Sequence, residues 1–198
     1  MRRVIAVIFL LASQSAGAIE IGALIGPVVS APTNMRMHQT SASPKGEGSV
    51  GLVGGLYFSH FSFPVVDLEY GAYLARRSLN LFYPAATNVV TRFSSVHVPL
   101  LVRIQLPFLF SVAAGPFANF GYGKPTVDSV ETSFSGASLN SKEFGLLASA
   151  RFRYSFLPMV GLILDLRFKR GLTSLMETAS LSLRSNEFEI LFGASLGL

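Results

Sequence analysis

From Ile19 onward the chain alternates apolar and polar side chains with a period of two, in runs that last ten residues or more. Successive side chains of a β-strand point to opposite faces, so this pattern specifies strands with one apolar face. The last run shows it best. Phe188, Ile190, Phe192, Ala194, Leu196 and Leu198 share one face, while Glu187, Glu189, Leu191, Gly193, Ser195 and Gly197 share the other. Residues 66–75, 95–105, 143–156 and 160–169 alternate in the same way. Less regular segments near 19–28, 49–61 and 108–122 bring the number of strands to eight. Such strands are long for a soluble sheet and suit tilted strands that cross a membrane. After Ile19 no stretch reaches 18 uninterrupted apolar residues, which argues against membrane-spanning helices.

The connections carry separate information. Three are very short, and each places a proline after an apolar residue: Phe63-Pro64, Leu106-Pro107 and Leu157-Pro158. Longer polar stretches lie between them at 30–48, 81–91, 124–141 and 174–185. Long and short connections therefore take turns along the chain. Outer-membrane barrels have short periplasmic turns and longer extracellular loops, and an even number of strands starting in the periplasm reproduces the order.

Alternation alone does not say which face meets lipid. In a soluble barrel the apolar face would be the core, and in a membrane barrel the faces swap. Two features favour the swap. Glycines crowd the charged face (Gly51, Gly55, Gly71, Gly115, Gly145, Gly161, Gly193, Gly197), as a narrow eight-stranded bore requires. That face also carries both signs in similar number: Glu20, Asp67, Glu69, Glu143, Asp165, Glu187 and Glu189 against Arg77, Arg103, Arg151, Arg153, Arg167 and Lys169. Charges enclosed in a bore must pair. The barrel-interior polar network expected from this parity is Asp67, Glu69, Arg103, Arg151, Arg153, Asp165, Arg167, Glu187 and Glu189. Glu187 and Glu189 are expected to accept hydrogen bonds from Arg151, Arg153 or Arg167.

Residues 1–18 have the make-up of a cleaved signal peptide: Arg2 and Arg3, an apolar stretch, then Ala16-Gly17-Ala18. The barrel domain is then 19–198. Half the residues are hydrophobic and 14% are charged, which excludes intrinsic disorder. Cysteine is absent, excluding disulfides, thiolate metal sites and a lipoprotein anchor. No basic run of the kind that binds nucleic acid is present.

The stretch Val96-His97-Val98-Pro99-Leu100-Leu101-Val102-Arg103, followed by Ala113-Ala114-Gly115-Pro116-Phe117, resembles the PorT-like and OmpX-like outer-membrane β-barrel domains. In that family an aliphatic-Pro-Leu-Leu-aliphatic-basic strand precedes an Ala-Gly-Pro strand. Leu164-Asp165-Leu166-Arg167-Phe168, with Gly171-Leu172-Thr173 after it, is similar to the family's penultimate strand. The resemblance covers most of the chain after residue 18. It implies a barrel handled by the insertion machinery during biogenesis, with an accessory role in envelope assembly or secretion. Many such barrels end in Phe or Trp, whereas Leu198 stands here.

A search for chemistry finds little. His60-Phe61-Ser62 has the His-x-Ser spacing of a lipid A deacylase-like barrel, but the topology puts it at the periplasmic rim, away from the outer leaflet. His97 faces the bore, and His38 sits in the first long connection with nothing to activate it. No metal-ligand spacing, P-loop or dinucleotide fingerprint is present. No catalytic, cofactor-binding or metal-binding residue is therefore assigned. Basic residues gather near the outer strand ends: Arg76, Arg77, Arg92, Lys124, Lys142, Lys169, Arg170 and Arg184. Of these, Arg76, Arg92, Lys142, Arg170 and Arg184 are candidate contacts for lipopolysaccharide phosphates.

The expectation is an eight-stranded, antiparallel up-and-down transmembrane barrel integral to a bacterial outer membrane. Its role is expected to be non-enzymatic: structural, surface-contacting or an envelope assembly accessory. Its partners would be outer-membrane lipid, lipopolysaccharide, and an envelope protein reached through the loops. A narrow pore, a lipid A-modifying enzyme and a soluble periplasmic ligand-binding barrel are the alternatives.

Overall fold

The computed structural model describes residues 19–37, 45–47, 49–63, 65–82, 89–157, 159–178 and 181–198. The leader expected over 1–18 and His38 lie outside the described residues. Eight long strands make the barrel: β1 (Ile19–Met37), β2 (Ser49–Phe63), β3 (Val66–Phe82), β4 (Val89–Gln105), β5 (Phe110–Val127), β6 (Lys142–Ser155), β7 (Val160–Gly171) and β8 (Leu181–Gly197). Each pairs antiparallel with its chain neighbours, and β1 pairs with β8 from Glu20–Gly197 to Met37–Leu181, so the sheet closes. Closure removes free edges, the condition for a sheet in lipid. Three short strands extend the ladders: Lys45–Glu47 against β3, Val130–Glu131 against β5 and Met176–Thr178 against β8.

The charged face is the inside. Asp67, Glu69, Arg103, Arg151, Asp165, Arg167, Glu187 and Glu189 are buried, while Leu68, Tyr70, Leu100, Val102, Leu166, Phe168, Phe188 and Phe192 are exposed on the outer wall. The glycines on the inner face have a firmer reason than bore volume. A Cβ at Gly26 would stand 1.8 Å from the Ile190 carbonyl oxygen, and one at Gly193 would stand 1.8 Å from that of Ala23. The wall bends sharply enough there to bring the neighbouring strand's backbone into the space a side chain would fill.

The strands run further than the alternation predicts. β1 continues to Met37, beyond residue 28; β3 reaches Phe82; β4 begins at Val89; β8 begins at Leu181. The loops are correspondingly shorter. Towards the outer ends of β3, β4 and β8 large apolar residues move to the inner face and cations to the outer one. Leu79, Phe93 and Leu183 point inward and are buried, while Ser78, Arg92 and Arg184 point outward. The loops fold onto this apolar mouth: Ala137, Leu139, Leu175 and Met176 join Leu79, Phe93 and Leu183 in one buried cluster, with Phe134 packed against it. The bore thus holds its charges beside two further buried apolar clusters, one including Leu24, Val53, Ile163 and Leu191 and one including Leu101, Phe117 and Leu147, and is capped by an apolar layer above.

Candidate functional site

Burial of many charges in one narrow bore is tolerable only if each finds a partner. The strands supply partners in three tiers. At the turn end, Arg153 pairs with Glu20, which also accepts a 2.5 Å hydrogen bond from the Tyr57 hydroxyl. Nearby, Gln105 Nε2 donates to Asp67 Oδ2 at 2.6 Å.

The middle tier holds three guanidiniums around two carboxylates. Glu69 receives Arg103 Nε at 2.7 Å, an Arg151 nitrogen at 2.9 Å and Arg167 at 3.3 Å. Asp165 receives Arg151 at 2.8 Å and Arg167 at 3.1 Å, with Arg103 at 3.7 Å. Ser149 donates to Asp165 at 2.5 Å, and Arg103 donates to Ser111 and Ser149. Two tyrosines finish the tier. The Arg151 guanidinium lies 4.3 Å from the Tyr57 ring centre and that of Arg167 lies 4.5 Å from Tyr73, whose hydroxyl accepts from Arg167. A guanidinium can stack on a ring while its edge donates in plane, so one side chain meets both needs.

The upper tier inverts the count, with two cations and three carboxylates. Arg77 bridges Glu143 at 3.2 Å and Glu187 at 2.7 Å, and Lys169 bridges Glu187 at 2.5 Å and Glu189 at 2.6 Å. Asn119 Nδ2 donates to Glu143, leaving its Oδ1 to accept from His97 Nδ1 at 2.8 Å. His97 is buried between the rings of Tyr73 and Phe117, so it belongs to the packing of the bore.

All nine residues expected in the interior network line the bore, with Arg153 at its turn end. The partners expected for two of them are different. Among the described residues Glu187 pairs with Arg77 and Lys169, and Glu189 with Lys169. Register decides this. Glu187 stands opposite Lys169 in the β7–β8 ladder, while Arg167, opposite Glu189, turns its head to Asp165 and Tyr73. Tyr57, Ser111, Ser149 and Asn119 are network members that a search for charge passes over. Their signal was parity, since each occupies an inward position of its strand.

Among the described residues little room remains in the filling. Three gaps in the bore each have about 10 Å³, space for about one water molecule. Outside, Arg76, Arg92, Lys142, Arg170 and Arg184 all project from the outer wall near the loop end, whereas Arg77 and Lys169 turn inward. An open groove of about 280 Å³ runs past Leu52, Arg76, Ser78 and Arg92 on this wall. His60 also faces outward, near the turn end.

The fold is that of known outer-membrane barrels. The crystal structure of the outer membrane protein OprG from Pseudomonas aeruginosa superimposes with a TM-score of 0.56, 13% identity, and coverage of 92% of this chain and 96% of that one. Neisserial surface protein A gives 0.52, 10% identity, and coverage of 92% and 97%. No curated protein matches the sequence. Residues 12–177 match the outer membrane protein beta-barrel domain, and the chain belongs to that family.

Proposed function

We propose that this is an integral protein of a bacterial outer membrane, exported by its leader, that works as a closed, non-enzymatic barrel. The bore holds the structure together, and the loops and outer rim make the contacts of a structural, surface-interacting or envelope assembly accessory protein. The observation that carries this reading is the filled bore. Six cations and seven carboxylates interleave below an apolar cap, and the gaps between them are the size of single waters. A conducting path would have to separate these pairs, which low dielectric makes costly.

The outward cations support lipopolysaccharide as the lipid partner. Arg76, Arg92, Lys142, Arg170 and Arg184 stand on the outer wall above the apolar belt, where phosphates of the outer leaflet would lie. Planar-bilayer recording tests the closed bore: the pure protein is expected to add no steady conductance, and an ohmic channel would replace this reading with that of a pore. Lipid A mass spectra from cells with and without the protein test the other half, since a modified lipid A species would make it an enzyme.

A further inference from the structure

The described residues of the turns at the end opposite the loops are apolar: Val65, Leu106-Pro107-Phe108-Leu109, and Phe156, Leu157 and Met159. Phe108 is 88% exposed, and Val65, Leu109, Phe156, Leu157 and Met159 are each about half exposed. Turns that stand in water ordinarily carry Asn, Asp, Gly or Ser. An apolar crown of this size on a free surface calls for a covering.

The backbone of the middle turn sharpens the point. Phe108 (φ 64°) and Leu109 (φ 69°) both adopt the left-handed conformation that tight hairpins usually give to Asn or Gly. Leu106 N–H donates to the Phe110 carbonyl and Arg153 N–H to that of Leu109, so the turn is locked into its neighbours. Two bulky side chains in this conformation are strained, and something must offset the cost.

The height of the apolar belt identifies what lies against the crown. Below the outward cations, the column from Val96 on β4 to Leu106 just after it and that from Phe188 on β8 to Leu198 just after it each advance ten residues. At about 3.4 Å per residue and a tilt of about 40°, ten residues rise about 26 Å. The apolar band of an outer-membrane barrel is about 25 Å tall. Leu74 to Val66 on β3 and Phe168 to Val160 on β7 rise only about 21 Å by the same arithmetic. Counting Val65 and Met159 brings those columns to about 23 Å, close to the height of the band. No length is left for a polar collar, so the turns coincide with the inner edge of the hydrocarbon.

We infer that the barrel sits flush with the inner leaflet, its turns inserted among that leaflet's headgroups and upper acyl chains rather than projecting into the periplasm. The partner of the crown is the lipid surface itself. Phe108 and Leu109 act as wedges, and their burial in the interface offsets the strain of the turn. The inference rests on the membrane-barrel reading and adds to it a depth.

The sequence contains no Trp, so one introduced indole reports on its position alone. Phe108→Trp and, as a reference on the mid-belt outer wall, Leu100→Trp would be folded into phosphatidylcholine vesicles with a fraction of brominated lipid. The shift of the folded band on unboiled gels checks that both variants have folded. The expected result is that the indole at position 108 emits to the blue of the urea-unfolded chain. It should be quenched by lipid brominated near the carbonyl and shielded from aqueous acrylamide. The indole at position 100 should be quenched by lipid brominated deep in the chain. If position 108 is open to acrylamide while position 100 remains lipid-quenched, the inference is overturned and the crown stands in water. If both positions are open to acrylamide, the membrane reading falls with it.

Discussion

Glu69 is the carboxylate on which the middle of the bore depends, and its removal has a calculable cost. Glu69→Gln keeps the shape of the side chain and deletes its charge. Three guanidiniums now within 2.7 to 3.3 Å of that carboxylate would be left to Asp165 alone. The tier would pass from three cations against two anions to three against one. Each charge-assisted hydrogen bond contributes about 1.5–3 kcal/mol, but the three are shared with Asp165 and do not add. The better guide is the loss of one partner from a buried ion cluster, about 3–5 kcal/mol. Glu20→Gln is the control, because its partner Arg153 is 28% exposed at the mouth and water can take over; its cost should stay near 1 kcal/mol or below. Urea unfolding in detergent, followed by the mobility of unboiled samples, measures both from the midpoints at an unchanged slope. The double variant Glu69→Gln with Arg103→Gln removes one charge of each sign and should recover about 1–3 kcal/mol of the single loss. A Glu69→Gln midpoint within about 0.5 kcal/mol of the parent would refute the reasoning. So would a double variant as unstable as the sum of its parts.

Gly26→Ala sets a Cβ against the Ile190 carbonyl at the β1–β8 closure, at a cost of about 3 kcal/mol or more. Gly54→Ala on the outer wall meets the Ile25 side chain at 3.2 Å and the Leu24 carbonyl oxygen only at an ordinary 3.5 Å, and should stay within about 1 kcal/mol. Equal loss of the folded band in the two would contradict the backbone-approach account. Leu175→Asp in the loop cap removes an apolar contribution of about 1.5–3 kcal/mol and should speed protease cleavage in 128–141 by about ten- to hundredfold while the barrel persists. An unchanged cleavage rate would mean that the loops do not depend on the cap. For the rim, Arg76→Glu with Arg92→Glu should lower retention on phosphorylated lipid A and leave retention on the dephosphorylated lipid unchanged, with the folded band preserved.

Much of the wall was legible because the period-two rule is local. The parity of Glu187 and Glu189 against Phe188 and Ile190 fixes which side chains enter the bore, whatever the rest of the chain does. Pairing inside the bore was not legible in the same way. Arg167 stands across the ladder from Glu189 yet reaches Asp165 and Tyr73, because a long side chain chooses among partners on several strands. The glycine positions could be read, but their cause could not. Gly193 answers to a carbonyl on the adjacent strand, which no property of its own neighbours announces, and so does Gly26, which the alternation did not single out.

The strand ends were misjudged for a reason that also bears on the solvent. A rule that follows apolar residues outward stops at Leu74 on β3 and starts again at Val96 on β4, because beyond those points the outward residues are Arg76, Ser78, Arg92 and Ser94. The alternation does not stop there; it changes sign, with Leu79, Phe93 and Leu183 taking the inward positions. A barrel that stood wholly in water would keep its apolar residues inside from end to end. Here the same strands point apolar residues outward and a charged network inward, beside buried Leu24, Val53, Leu101, Leu147 and Leu191, for most of their length, and turn Arg76, Arg92 and Arg184 outward at the outer end. An inside-out lower part joined to a water-type upper part is what a strand must present when it leaves lipid for water along its own axis. The sign change falls at the level of the outward cations, so the residues proposed to meet lipopolysaccharide phosphates stand where the strand would exchange one solvent for the other.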